Sequence, residues 1–353
     1  MSIGENIKLR REIVGLSLRD VAIKINVSHT TVNKYEKNIL IPDSKSLIKL
    51  SEILGIPIAV LLRPQNQRIQ LTGFAFRTKK LGKKDEKQIS AETKEWLERY
   101  LQIEHLTGVH RTFEIPNGFP KSVSSFEEAE EAANILRKKW DLGSDPIENL
   151  TNLLEDKGIK IGIINGITEF DALFTEYLDN HIIVVKDKLP RSRQRFSLAH
   201  ELGHCILRVE SGMDEEKIMH RFAGAFLVPS EKIIFELGEK RNKISAKELI
   251  LLKQKYGLSM AAWLIRAKEL EIICEDYFIE TRKMFSKVGW NKREPEDEIE
   301  GEKPLFLTSI VLKSHAEGLI STSKAAELLN QSISDFCSFE GESDFERSAI
   351  LCD

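Results

Sequence analysis

The sequence predicts a multidomain chain, mainly α with a small β-sheet: an N-terminal five-helix bundle, a central α+β domain and a small helical C-terminal module. Three observations carry this expectation. The 353 residues exceed what one hydrophobic core organises. Capped apolar segments of helical period fill residues 4–62 and 307–336, whereas β-branched runs are confined to the middle of the chain. Charge is unevenly divided: residues 1–70 hold eleven Lys and Arg against six Asp and Glu, in a chain whose formal net charge is -3. The expected boundaries are a first domain at 1–68, a linker at 69–92, the α+β domain at 93–293, an acidic linker at 294–304 and the C-terminal module at 305–353.

Composition narrows the class. Hydrophobic residues at 41% and charged residues at 30% suit a soluble globular protein, and no apolar run reaches the roughly 18 residues of a bilayer span. No membrane partner is expected. The opening MSIGENIKLRREIVG is amphipathic and charged, unlike a secretory signal, so a cytoplasmic location is expected. The four cysteines form no CxxC pair, which argues against a disulfide framework or a Cys-rich zinc ribbon.

Taken in order, Ile7, Leu9 and Ile13 mark a first helix ending at Gly15. Ser17 then caps a segment to Ile25, Ser28 one to Lys37 and Ser44 a fourth to Leu54, with a short helix at 58–62. An alternating stretch beginning at residue 66 leads into a Lys-rich linker, and Ser90 opens a helix to Gln102. Ser125 caps EEAEEAANILRKKWDLG, whose acids lead and bases trail as the helix dipole favours. A helix at 146–157 precedes three strand-like runs, GIKIGIING, DALFTEYLD and HIIVVKD. A helix follows from about Ser192. EPEDEIEGE at 294–302 reads as an exposed charged linker, and the C-terminal segment as a helix, a Gly-containing turn and two capped helices. The acidity after residue 340 favours packing or partner binding there over DNA contact.

Within LSLRDVAIKINVSHTTVNKYEKN, a helix, a turn at Asn26-Val27 and a helix capped by Ser28 have helix-turn-helix lengths. The second helix would enter a major groove with Ser28, His29, Thr30, Asn33 and Lys34 near base edges. Arg19, Lys37 and Lys45 are placed to meet phosphates. Val32 and Tyr35 are assigned to the core. The succession of caps and apolar positions over 3–63 resembles the Xre/Cro-type repressor domain, which implies a double-stranded DNA operator as partner. A bundle used only for protein contact is the competing reading. A homodimer is left open as the DNA-bound assembly.

RQRFSLAHELGHCIL contains HExxH at 200–204. On a helix, His200 and His204 share one face a turn apart, so both imidazoles can reach one Zn²⁺ while Glu201 serves as general base toward its water. The pentapeptide arises by chance in a chain of this length about once in a hundred. Here it sits among Phe196, Leu198, Leu202, Cys205 and Ile206, where burying two histidines without a metal would be costly. Cys205 is read as a packed thiol. For the third ligand, Glu216 and His220 share a later helical face, with Glu216 first and His220 second, as alternative ligand or outer contact. Asp214 and Glu215 are read as solvated residues at a frayed helix start.

Together, RFSLAHELGH and EKIMHRFAGAFLVP from Glu216 resemble the ImmA/IrrE metallopeptidases over about residues 125–275. In that family an acid six positions before the Phe of the FA element completes a His, His, Glu site; Phe222 is that Phe, which puts the acid at Glu216. Family members often have Ala-Asn where this chain has Met219-His220. The resemblance implies a zincin-like metallopeptidase domain, bound zinc and limited cleavage of a regulatory protein, often a repressor. Combined with the first domain it suggests a DNA-tethered regulatory protease of a stress-response, prophage or toxin-antitoxin locus. The alternative is a transcription regulator or antitoxin whose zincin-like domain senses or binds without cutting. Glu201 separates them, because a structural zinc has no use for an unligated carboxylate beside its open position.

Overall fold

The computed structural model describes residues 3–56, 58–62, 69, 71, 82–165, 170–297 and 299–341. Most of the alternating stretch after residue 66, and residues 342–353 of the C-terminal module, lie outside the described residues. The chain divides into two compact units, one built on Met1–Gln102 and one on Ile103–Gly166 with Asp171–Asp353.

The first unit begins with α1 (Ile3–Ile13), α2 (Leu18–Ile25), α3 (His29–Glu36), α4 (Ser44–Leu54) and α5 (Ile58–Leu61). Their apolar faces meet in a core of Ile7, Val21, Ala22, Ile25, Val32, Tyr35, Leu50, Leu54 and Leu61. Ser17 and Asp20 form a reciprocal capping box on α2, Asn26 ends it in a left-handed conformation, and Ser28 caps α3. The fourth cap is Asp43, one residue before the Ser44 that the sequence suggests, because its carboxylate accepts from Ser46 N–H at 2.7 Å. Gly4 lets α1 touch the end of α3: a Cβ there would lie 2.0 Å from the Tyr35 carbonyl oxygen. Arg11 and Glu36 form an ion pair at the same contact, 2.5 Å apart.

The next helix, α6 (Lys83–Thr107), starts before the expected Ser90 and takes over the end of the expected 69–92 linker. Ile89, Thr93, Leu97 and Tyr100 are buried at helical spacing. The Lys-rich run conceals this stripe, whose first apolar residue precedes Ser90. Arg10 and Glu95 fasten α1 to α6 through bonds of 2.6 and 2.8 Å.

In the second unit, α7 (Phe126–Lys139) is capped by Ser125 as expected, whereas α8 (Leu150–Asp156) starts later than Pro146, with Asn149 as cap. The three strand-like runs fold as β2 (Lys160–Ile164), β3 (Ala172–Tyr177) and β4 (Asn180–Lys186). They form a mixed sheet of order β2-β4-β3, with β3 antiparallel at the edge. Two three-residue strands escaped the sequence reading, β1 (Lys121–Val123) and β5 (Leu207–Val209), which pair in parallel. They are too short to show a period.

After the sheet come α9 (Arg191–Ile206), which packs on β3 and β4, and α10 (Glu215–Leu227), which packs on α9 and α7, followed by α11 (Ser230–Leu237), α12 (Ala246–Tyr256), α13 (Met260–Glu269) and α14 (Glu275–Lys287). A single core runs from Phe113 to Phe285 through Leu198, Leu202, Phe222, Phe226 and Trp263. The C-terminal helices α15 (Phe306–Ala316), α16 (Thr322–Leu328) and α17 (Ile333–Gly341) enclose a smaller core of Ile310, Val311, Leu328 and Phe336 that also takes in Ile103.

The acidic segment 294–302 is not the free linker expected: Glu296, Ile299 and Glu300 are exposed, but both its ends are anchored. Glu294 and Glu302 are each only 8% exposed. Glu294 accepts from the first N–H groups of α13, at Met260 and Ala261, both at 2.9 Å, and lies 3.1 Å from Lys253. Glu302 accepts from Thr151 N–H in α8 and from Arg195 in α9 at 2.7 Å, while Gln194 bonds its backbone on both sides. Charge composition alone cannot tell acids that meet buried cations from acids that meet water.

Removing one partner of such a buried pair leaves the other uncompensated, so Glu302→Ala is expected to cost about 3–5 kcal/mol in urea denaturation. The same change at Glu300, whose side chain is 82% exposed, should stay within about 0.5 kcal/mol; equal effects at the two positions would restore the linker reading. A second expectation concerns Glu155, whose carboxylate accepts from Leu305 and Phe306 N–H at 2.8 and 3.1 Å. Burial outweighs these bonds and Arg111, raising its pKa from 4.5 to about 7. A raised carboxylate pKa means that the fold binds the proton more tightly than the unfolded chain. Its stabilising contribution is therefore complete below pH 4.5 and lost as pH rises through 7. Glu155→Gln should flatten the fall in stability between pH 5 and 8, and an unchanged slope would exclude this group as its source.

Candidate functional site

The candidate site is set by the crossing of two helices. Along α9, Phe196, His200 and His204 recur every fourth residue and share one face. The second helix, α10, starts at a cap in which Asp214 accepts from Lys217 N–H at 3.3 Å, and places Glu216 and His220 one turn apart. Gly203 permits close approach: a Cβ there would lie 2.9 Å from Met219 Sδ and 3.1 Å from the Phe222 ring. Met219 and Phe222 are fully buried against α9, so packing fixes how α10 presents its polar face.

At this crossing His200, His204 and Glu216 each direct one donor atom into a common space, all within 4.8 Å of one another. The two Nε2 atoms are 3.2 Å apart, His200 Nε2 lies 3.3 Å from Glu216 Oε2, and His204 Nε2 lies 3.7 Å from Glu216 Oε1. A tetrahedral ion with bonds of about 2.0–2.1 Å keeps its ligand atoms roughly 3.4 Å apart, so the donor set fits Zn²⁺ in both chemistry and spacing. The hydrogen bond to His200, aided by the nearby imidazoles, holds the Glu216 carboxyl well below the usual range despite its partial burial.

The surroundings add contacts that the sequence did not reveal. Glu215 does sit at the helix start and partly in solvent, as expected, but its Oε1 also lies 3.4 Å from His204 Nδ1. A carboxylate on that nitrogen favours the tautomer that leaves Nε2 as the donor. The helix start is not frayed, since Asp214 is its cap. Glu201 stands outside the donor set, and its Oε2 accepts from the Phe174 N–H of edge strand β3 at 2.8 Å. The His220 ring centroid lies 4.9 Å from that of His200 and 5.6 Å from that of Phe196, with no nitrogen in the set. Desolvation by its packed neighbours and the nearby His200 lower its pKa although the residue as a whole is exposed. Cys205 is buried and its thiol pKa is raised, as befits a packed residue.

In the first unit, His29, Thr30, Lys34 and Lys37 are exposed along or just beyond α3, with Asn33 half-buried; Arg19 on α2 and Lys45 on α4 are exposed. Ser28 is committed to its cap, accepting from Thr31 N–H at 3.0 Å and bonding Thr30 Oγ1 at 2.6 Å. Val32 and Tyr35 are in the core, as expected.

Comparison with known proteins agrees with this geometry. Residues 154–268, which hold the whole donor set, match the family Peptidase_M78, the IrrE N-terminal-like domain. Residues 7–61 match the helix-turn-helix family HTH_3, a DNA-binding class. The chain is also 31% identical over 62 residues to the HTH-type transcriptional regulator ImmR of Bacillus subtilis (strain 168), a match covering 18% of this chain and 49% of that regulator. Among the described residues no helix is long and apolar enough to cross a membrane. The chain thus joins a helix-turn-helix domain to a domain of the IrrE N-terminal-like peptidase family.

Proposed function

We propose that this chain is a DNA-binding regulatory metallopeptidase of the cytoplasm, which hydrolyses a peptide bond in a transcriptional repressor or related regulator. The observation that carries the reading is the convergence of His200, His204 and Glu216, with Glu201 beside them but outside the donor set. These three residues would hold Zn²⁺, which when bound supplies Lewis acidity and a water acidic enough to attack near neutral pH. Glu201 takes the proton from the attacking water and returns it to the leaving amide nitrogen. Its bond from Phe174 N–H keeps the carboxylate oriented for that transfer. Glu215 positions His204 through Nδ1.

The helix-turn-helix would bring this activity to an operator, with His29, Thr30, Asn33 and Lys34 toward base edges and Arg19, Lys37 and Lys45 on phosphates. The likeness of the first domain to ImmR, a transcriptional regulator, supports this part. Stress-response, prophage or toxin-antitoxin circuits suit such a pairing.

Purified protein should hold about one equivalent of zinc by mass spectrometry, and His204→Ala should lose it. Glu201→Gln should keep the metal but stop cleavage, so proteomes of cells carrying the two forms should differ by one accumulating regulator. Loss of zinc from neither protein would refute the ligand set, while identical proteomes would favour a sensory domain. For DNA, Asn33→Ala should cost about 1–3 kcal/mol on the preferred operator and relax its sequence preference. Arg19→Ala should weaken all sequences alike and reduce the salt dependence by about one counterion. Gel-shift titrations over a salt series test both, and unchanged binding by the two variants would remove α3 and Arg19 from the interface.

A further inference from the structure

His220 lies one turn after Glu216 on the same face of α10. Its ring is tilted 47° to that of His200 at a centroid distance of 4.9 Å, and it approaches Phe196 on the far side from His204. The site therefore has two ends: Glu215 backs His204 at one, and His220 borders His200 at the other. His220 is exposed whereas His200 is buried, so its imidazole meets whatever enters from solvent. It is not built as a ligand. A zinc ion with bonds of about 2.0–2.2 Å cannot span donors more than roughly 4.4 Å apart, and no His220 nitrogen belongs to the set within 4.8 Å.

We infer that His220 is a catalytic residue on the open side of the metal centre, donating an imidazole N–H to the scissile carbonyl oxygen as negative charge develops there. This rests on the metallopeptidase reading above. An imidazole offers an N–H in either protonation state, so the role does not depend on its titration. Such a donor acts where water is partly excluded and charge appears only in the transition state, the setting in which one hydrogen bond affects rate most. Phe196, packed against the ring, restricts the directions in which it can point.

The test uses the full-length zinc-loaded protein, its His220→Ala and His220→Asn variants, and acetohydroxamate as an oxygen-donor probe. Zinc stoichiometry and chelator competition should be unchanged in both variants. Hydroxamate affinity should fall about tenfold in His220→Ala and recover in part in His220→Asn, whose amide also donates. With the substrate regulator, kcat should fall on the order of a hundredfold with KM held. Equal hydroxamate affinity in all three proteins overturns the inference but leaves the metallopeptidase reading intact. Loss of zinc from His220→Ala overturns it in favour of a fourth ligand, and failure of the wild type to take up zinc overturns both readings.

Discussion

The contact of α10 with α9 at Gly203 is the constraint on which the rest of the site depends. Across the two helices the donor atoms lie 3.3 and 3.7 Å apart, a spacing that depends on how closely the two backbones approach. The missing Cβ provides that approach, and Met219 and Phe222 fill the space around it. Interiors packed to crystal-like density transmit even one extra methyl group, so the spacing of the polar face is governed by the apolar contact beside it.

Buried charge pairs hold the surrounding layers in register. Glu130 of α7 receives Arg266 of α13 at 2.6 Å and Arg221 of α10 at 2.7 Å, and Lys160 of β2 meets Glu104 at 2.6 Å. Such pairs add little net stability over a well-packed apolar substitute, since desolvation consumes most of the attraction. Their effect is directional: a guanidinium fork accepts one arrangement of its carboxylates, which fixes the rotation of α10 about its own axis.

Much of this was legible in the sequence where the physics is local. Ser17, Ser28 and Ser125 act as caps within three residues of the groups they satisfy, and the histidine pair on α9 follows from helical period alone. Glu216 needed more, because periodicity left His220 as its competitor and only the family resemblance separated them. What stayed hidden joins distant segments: Glu201 to Phe174 across 27 positions, and Arg195 to Glu302 across 107. A run of acids carries no mark of the cation that it will meet, and a Lys-rich stretch hid the apolar stripe that opens α6.

The contacts of Glu294 and Glu302 bear on where this peptidase-family domain ends. Its expected boundary at residue 293 falls just before Glu294, the acid that completes the first turn of α13, and well short of Glu302. A domain excised there would leave Arg195, one helical stretch before the histidine pair, as a stranded interior cation, and would uncover the start of α8. The smallest piece of this domain able to fold on its own therefore reaches past Glu302, and the acidic stretch belongs to its body as a latch whose charges close from inside.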